Sequence, residues 1–135
     1  MKIVLDANVI ISAFAARDLC ESIMEVCLNE HDIVLSDSLL DEIIKNLSSK
    51  IKLPSDIISS IEVLLRDHSR FSNPAPLPSD SCRDSDDIKI LGLAVAANAD
   101  YIVTGDKDLL VLKKFRGISI LNPRSFSDML HRIKG

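Results

Sequence analysis

Short apolar runs, rich in β-branched residues, alternate with longer amphipathic patterns along this chain. The runs lie at residues 3–5, 33–35, 101–104 and 118–121. Each run is too short for a helix, and unbroken apolar character is typical of a strand that is buried on both faces of a parallel sheet. Strands that alternate with helical patterns predict an α/β fold in which helices cover both faces of the sheet.

The segments between the runs repeat apolar residues at helical spacing. We expect helices at about residues 9–16, 19–27, 37–47, 55–65, 84–97, 109–114 and 123–133, and a short edge strand that closes at Phe71. The Pro- and Ser-rich segment 72–81 is expected to be a loop. The chain beyond this loop is too short to fold alone, so we expect one domain over residues 1–135.

Composition limits the location and the partners of the protein. No apolar stretch approaches the roughly 20 residues that cross a bilayer, and the N-terminus lacks a signal-peptide pattern, so we expect a cytoplasmic protein with no membrane contact. The three cysteines lack the paired spacing of a zinc site, and we expect buried or incidental thiols. The net charge of −4 argues against nucleic-acid binding by bulk attraction.

Acidic residues stand at comparable points of the predicted fold. Asp6 follows the first strand directly, and Asp106 follows the strand at 101–104. Because the carboxyl ends of parallel strands share one edge of the sheet, these two side chains are expected to approach one another there, where α/β proteins bind ligands. Glu42 borders the apolar stripe of the helix after the second strand, and Asp84, Asp86 and Asp87 open the helix at 84–97.

Carboxylates that gather at one place repel each other unless a divalent cation neutralises them. Carboxylate oxygens and water are the ligands that Mg²⁺ and Mn²⁺ prefer, and such ions support phosphodiester hydrolysis. Each acidic residue also has a simpler interpretation. The aspartates can cap helices and turns, and Glu42 can pair with Lys45 one turn along the helix. The joint pattern favours the metal site.

Four stretches of the sequence resemble PIN-domain proteins. They are Val4-Leu5-Asp6-Ala7-Asn8-Val9, Leu39-Leu40-Asp41-Glu42-Ile43, Arg83-Asp84-Ser85-Asp86-Asp87, and residues 99–110, which read Ala-Asp-Tyr-Ile-Val-Thr-Gly-Asp-Lys-Asp-Leu-Leu. The last stretch is the most specific. Within the family, the chain most resembles the bacterial and archaeal branch of VapC-like toxins of toxin–antitoxin systems.

This resemblance implies a three-layer α/β/α sandwich and a Mg²⁺- or Mn²⁺-dependent ribonuclease. Family members commonly form homodimers, and the toxins are held inactive by a small antitoxin protein. Carried over by position, the catalytic and metal-binding residues are Asp6, Glu42, Asp87 and Asp106, with Asp84 as a further metal ligand. The resemblance makes Asn8, Ser36, Thr104 and Asp108 supporting polar residues.

The third acidic ligand departs from the spacing common in the family. Counting back from Asp106 reaches Ile88, which cannot bind a metal ion, whereas aligning on the small-residue helix through Ala94 reaches Asp87. The two counts agree if the connector before the strand at 101–104 is one residue longer here. We therefore assign the role to Asp87, with Asp84 and Asp86 as alternatives.

Other functions compete with the ribonuclease. Ile88 favours a catalytically inactive PIN domain that binds RNA or a protein without cutting. A phosphatase or a phosphate-dependent switch also places an Asp after its first strand, but Asn8 stands where such a phosphatase has a second Asp. The sequence does not reveal the RNA target, and the basic residues that could line an RNA path are scattered, namely Arg17, Lys45, Lys50, Lys52, Lys107, Lys113 and Lys114.

Overall fold

The computed structural model describes residues 1–16 and 18–134 of the chain. Strands and helices alternate through this part, as the sequence predicts. In chain order the elements are β1 (Lys2–Leu5), α1 (Ala7–Ala15), α2 (Leu19–Glu30), β2 (Asp32–Leu35), α3 (Asp37–Ser49), α4 (Ser55–His68), β3 (Ser69–Phe71), α5 (Ser85–Ala97), β4 (Tyr101–Val103), α6 (Lys107–Leu110), β5 (Lys114–Phe115), β6 (Ile118–Leu121) and α7 (Pro123–Lys134).

The strands form one sheet in the order β3-β2-β1-β4-β6-β5. Strand β1 lies near its centre, where Val4 pairs in parallel with Val34 of β2 and with Ile102 of β4. Residues Ile3 to Leu5 have no exposed surface, which confirms the expectation of a strand buried on both faces. The chain moves outward from β1 to β3 and then returns to the other side of β1 at β4. The carboxyl ends of β1 and β4 therefore form the topological switch point.

Helices cover both faces of the sheet in three α/β/α layers. Helix α1 packs against α2 and α3, α3 packs against α4, and α7 packs against α2. Helix α5 packs against β1 and β2. Because crossovers between parallel strands are right-handed, the reversal of direction between β3 and β4 puts α5 on the face opposite to α1–α4.

One expectation fails at one edge of the sheet. The predicted helix over 109–114 ends at Leu110, and residues 114–115 form β5 instead. Strand β5 pairs with β6 antiparallel, so the sheet is parallel except for this hairpin. The two turn residues, Arg116 and Gly117, have φ angles of 49° and 83°. Positive φ at both central residues matches the twist of two-residue hairpins, but Arg-Gly lacks the usual Asn-Gly or Asp-Gly signal.

The proline-rich loop lies directly against α5. The backbone N–H of Ala75 donates a hydrogen bond to the carbonyl oxygen of Gly92 at 2.9 Å. A methyl group on Gly92 would overlap the carbonyl oxygen of Ala75, so only glycine permits this approach of loop and helix. The loop thereby holds the helix that carries Asp84, Asp86 and Asp87.

The cysteines are free, and each packs into the protein to a different degree. Cys27 is buried and Cys20 is half-buried on α2. Burial raises the pKa of the Cys27 thiol to about 12. Cys82 lies after the proline-rich loop, and it is buried, with its Sγ donating to the carbonyl oxygen of Asp108 at 3.5 Å. Among the described residues, no helix has both the length and the apolar character needed to span a membrane.

Candidate active site

A cleft of about 240 Å³ opens at the carboxyl edge of β1 and β4, beside the first turns of α3 and α5. Its polar lining is dominated by carboxylates. The lining residues are Asp6, Asn8, Ser36, Ser38, Leu39, Glu42, Asp84, Asp86, Asp87, Lys89, Ile90, Leu93 and Asp106. All four residues predicted as metal ligands line this cleft, together with the alternatives Asp84 and Asp86. In the described part of the chain, six carboxylates thus share one cleft with a single cation.

Asp6 is held rigidly at the end of β1. It is the N-cap of α1, and its Oδ1 accepts a hydrogen bond from the N–H of Ala7 at 2.7 Å. Its Oδ2 accepts from the hydroxyl of Thr104 at 2.7 Å. Burial raises the pKa of Asp6, these two hydrogen bonds oppose the rise, and the charge of Asp106 adds to it.

Thr104 joins the two aspartates that follow the central strands. The residue has no exposed surface, and its hydroxyl accepts a hydrogen bond from the N–H of Asp106 at 3.0 Å while it donates to Asp6. Asp106 in turn caps α6, where its Oδ1 accepts from the N–H of Asp108 at 2.9 Å. Thr104 is not among the residues that line the cleft, and it contacts two residues that are, Asp6 and Asp106.

Asp87 is the buried carboxyl group of the cleft. It is 6% exposed, in the first turn of α5, and its Oδ2 accepts no hydrogen bond within the described part of the chain. Its pKa is raised to about 7, chiefly by burial and also by the neighbouring carboxyl of Asp106, within hydrogen-bonding reach, and by the charges of Asp84 and Asp6. Ile88 is half-buried and packs against the hydrophobic core. It does not line the cleft.

Asp84 and Asp86 are exposed neighbours of Asp87. Asp84 is the N-cap of α5, with its Oδ1 accepting from the N–H of Asp86 at 2.8 Å. The capping interpretation and the metal-site interpretation are therefore compatible, because the cap occupies only one oxygen of this carboxylate.

Glu42 stands on the wall formed by α3. Its neighbours Leu40 and Ile43 are fully buried, whereas Glu42 itself is exposed at the border of the apolar stripe. Burial of its carboxyl raises its pKa, the charges of Asp6 and Asp86 raise it further, and Lys89 and Lys50 oppose the rise. The alternative ion pair with Lys45 is absent among the salt bridges of the described residues.

Two smaller polar residues complete the expected set. Ser36 is the N-cap of α3, as predicted, and its Oγ accepts from the N–H of Leu39 at 3.1 Å. It also lies 3.2 Å from the Oγ of Ser38. Asn8 is exposed in the first turn of α1, and its side chain lines the cleft.

The tightest acidic group differs from the predicted set. Carboxylate oxygens of Asp84, Asp87 and Asp108 lie within 4.8 Å of one another. Only Asp87 belongs to the four expected ligands, while Asp84 is the additional candidate and Asp108 is expected only as support. Asp6 and Asp106 already bond backbone N–H groups as helix caps, which restrains their carboxylates. The buried, unbonded oxygen of Asp87 and an all-carboxylate donor set both fit a divalent cation such as Mg²⁺ or Mn²⁺.

Sequence reasoning missed Lys89 and Ser38 as residues of the cleft. Lys89 follows Asp86 by three positions on α5, a spacing that puts two side chains on the same face of a helix and could have revealed it. Arg17 lies outside the described residues. The other basic residues considered for an RNA path do not line the cleft.

Solved structures with a similar fold cover most of this chain. The structure of VapBC2 from Rickettsia felis bound to a DNA fragment from their promoter matches with a TM-score of 0.61 and 18% sequence identity, over 90% of this chain and 98% of that one. The structure of FitAcB from Neisseria gonorrhoeae matches with a TM-score of 0.56 and 14% identity, over the same shares of the two chains. At these identities, the likeness concerns the fold.

The sequence itself identifies the family. No curated protein sequence matches the chain significantly. The sequence profile of the PIN domain, however, matches residues 2–108, a span that contains β1 to β4 and every carboxylate of the cleft. The chain therefore belongs to the PIN-domain family.

Proposed function

We propose that this protein is a Mg²⁺- or Mn²⁺-dependent endoribonuclease that hydrolyses RNA phosphodiester bonds. The observation that carries the proposal is the carboxyl of Asp87, buried with one oxygen unbonded among five further carboxylates. An arrangement that raises pKa values in this way costs stability unless a cation offsets the charge. Membership of the PIN-domain family supports the proposal, because PIN domains are generally nucleases.

The proposed metal ligands are Asp6, Glu42, Asp87 and Asp106, with Asp84 as a further ligand. Asp108 is an additional candidate because its carboxylate lies near those of Asp84 and Asp87. When bound, a divalent cation would neutralise these carboxylates, activate water and stabilise the charge that develops on the phosphate during hydrolysis.

The protein's own side chains would organise the site before the cation and the substrate arrive. Thr104 fixes the separation of Asp6 and Asp106 through its hydroxyl. Ser36 fixes the start of α3, which carries Glu42, and Asn8 offers an amide to the cleft as a polar contact. Such preorganisation lowers the cost of assembling the charged groups during the reaction.

The size of the cleft limits how RNA could bind. A volume of about 240 Å³ equals that of about eight water molecules in the liquid, enough for a hydrated cation and a phosphate group. The rest of an RNA strand would have to lie outside the cleft, along its mouth. The reaction would therefore act on the backbone of an accessible strand.

We further propose that the protein is the toxin of a toxin–antitoxin pair, with an antitoxin protein as its partner. The likeness to the VapBC2 and FitAcB structures supports this part of the proposal. A homodimer and a cytoplasmic location belong to the same proposal, and they rest on the resemblance to the toxin branch of the family.

The alternative is a PIN domain that binds RNA or protein without cutting. Its main support in the sequence is Ile88 at the position of the third acid. Ile88 packs against the core while Asp87 lines the cleft, so Ile88 gives less support to this alternative than the sequence alone suggests.

An RNA cleavage assay tests the proposed activity. End-labelled RNA pools are incubated with the protein in Mg²⁺, in Mn²⁺ and in EDTA, and the same reactions are run with Asp6→Asn. Asp128→Asn, an exposed change of equal charge on α7, is the matched control. Cleavage that requires the metal and Asp6 but not Asp128 is the expected result. Cleavage that persists in EDTA would contradict the metal requirement, and no cleavage by the wild-type protein would count against the nuclease and favour the binding module.

A further inference from the structure

Lys89 is the one cation among the described residues that line the cleft. Its side chain is exposed, on the second turn of α5. Although six carboxylates share the cleft, Lys89 makes no salt bridge within the described part of the chain, where the ion pairs involve Arg66 and Arg70. Its ammonium group is therefore not consumed by a neighbouring carboxylate and can bind an anion from outside.

Lys89 lies on α5, one of the helices that line the cleft. Lys89 and Asp86 are three positions apart on α5, and Glu42 lies on α3, which forms the opposite wall. The positive charge of Lys89 influences the pKa of Glu42, where it opposes the effects of burial and of the acidic neighbours. A cation in this position is close to the carboxylate site without being paired to it.

We propose that Lys89 binds a backbone phosphate of the RNA strand at the mouth of the cleft, next to the phosphodiester that is cleaved. This inference rests on the proposed ribonuclease function. A lysine ammonium offers three donors and a compact charge, which suits a phosphate oxygen. The other charged residues of the cleft are all acidic, and the net charge of the chain is −4, so RNA gains little from bulk attraction. A local cation at the cleft is then needed to hold the strand in register.

A binding measurement separates this role from that of an ordinary surface lysine. A fluorescent, phosphorothioate-substituted oligoribonucleotide resists cleavage and reports binding by anisotropy in Mg²⁺ at several salt concentrations. The variants are Lys89→Gln, Lys89→Arg, which keeps the charge, and Arg132→Gln, which removes an exposed charge on α7 outside the cleft. Cleavage of unmodified RNA is measured on the same samples.

We expect Lys89→Gln to weaken binding about two- to fivefold at moderate salt, which is within the range of one exposed ion pair. The slope of log affinity against log salt should fall by about 0.7, the value for one phosphate contact with a single strand. Lys89→Arg should retain most of the affinity, and Arg132→Gln should bind like the wild type. In the cleavage assay, Lys89→Gln should raise KM more than it lowers kcat.

Several results would overturn this inference. One is equal binding and equal salt slope for Lys89→Gln and the wild type. Another is the same loss of binding in Arg132→Gln, and a third is a wild type whose binding does not depend on salt. The nuclease proposal has a separate outcome. If Lys89→Gln lowers binding while the wild type cleaves no RNA, then the phosphate contact stands and the nuclease proposal fails. If the wild type cleaves and Lys89→Gln binds normally, only the role of Lys89 fails.

Discussion

The hydroxyl of Thr104 donates a hydrogen bond to Oδ2 of Asp6 at 2.7 Å, across 98 positions of the sequence. The hydroxyl oxygen of Thr104 also accepts a hydrogen bond from the N–H of Asp106 at 3.0 Å. One buried hydroxyl thus connects the ends of the two strands at the topological switch point of the sheet. The two proposed metal ligands that follow these strands depend on it for their relative position.

Removing this hydroxyl should damage the fold and the site together. We expect Thr104→Val to lower the free energy of unfolding by about 1–3 kcal/mol, because the buried N–H of Asp106 loses its acceptor and Asp6 loses a donor. Urea denaturation measures this loss. RNA cleavage should also fall about tenfold as Asp6 and Asp106 lose their alignment.

Thr104→Ser is the matched control for this prediction, because it keeps the hydroxyl and removes only a methyl group. It should retain most of the activity of the wild type. Wild-type activity in Thr104→Val, or a loss confined to Thr104→Ser, would mean that the hydrogen bonds of this hydroxyl do not align the site.

The contact between the proline-rich loop and α5 should be sensitive to a single methyl group. Gly92→Ala forces a clash with the carbonyl oxygen of Ala75, and we expect a loss of about 1–3 kcal/mol of unfolding free energy in urea denaturation. Gly105→Ala is the control, because a methyl group there meets nothing within 4 Å and the backbone does not need glycine. Its stability should stay within about 0.5 kcal/mol of the wild type. Equal stability of the two variants would mean that the loop moves away from α5 at little cost in free energy.

The raised pKa of Asp87 predicts an unusual dependence of stability on pH in the metal-free protein. In the folded state the pKa is about 7, against 3.8 for an ordinary Asp. The folded protein therefore binds this proton more tightly than the unfolded chain does, so the contribution to stability is complete at acidic pH and is lost as the pH rises from about 4 to about 7. The raised pKa values of Asp6 and Glu42 act in the same direction.

Urea denaturation in EDTA tests this pH dependence. The wild type should lose about 2 kcal/mol more stability between pH 5 and pH 8 than Asp87→Asn does, because the amide does not titrate. Added Mg²⁺ should restore stability to the wild type at pH 8, since a ligand of the native state stabilises it. Parallel pH curves for the two proteins would contradict the assignment of a raised pKa to Asp87.

The parts of the fold that the sequence predicts well are those whose signals are local. The apolar run before Asp6 and the amphipathic stripes each report burial directly, and the predictions of β1 and of the N-cap at Ser36 are confirmed. The sequence does not predict the hairpin of β5 and β6, because its turn uses Arg116 at positive φ, a conformation for which the residues offer no usual signal. The close approach of Ala75 to Gly92 depends on tertiary packing and cannot be foreseen from either segment alone.

The sequence predicts which carboxylates share the cleft, but it does not predict which of them lie closest to one another. Parallel strands bring Asp6 and Asp106 to one edge of the sheet regardless of how the helices pack, so both are expected in the cleft. The phase of α5 decides whether Asp87 or Ile88 faces the cleft, and a count along the sequence that is wrong by one residue gives the wrong answer. The proximity of Asp108 to Asp84, and the place of Lys89 in the cleft, depend on how α5 and α6 pack.

Binding of a divalent cation by the carboxylates of the cleft, with Asp87 as an essential ligand, is the central requirement of the proposed function. Titration calorimetry with Mn²⁺ tests it most directly, on the wild type, on Asp87→Asn and on Asp128→Asn as the control of equal charge. We expect the wild type and Asp128→Asn to bind Mn²⁺ alike, and Asp87→Asn to bind about 100-fold more weakly or not at all. Equal binding by Asp87→Asn and the wild type, or no binding by the wild type, would contradict this requirement.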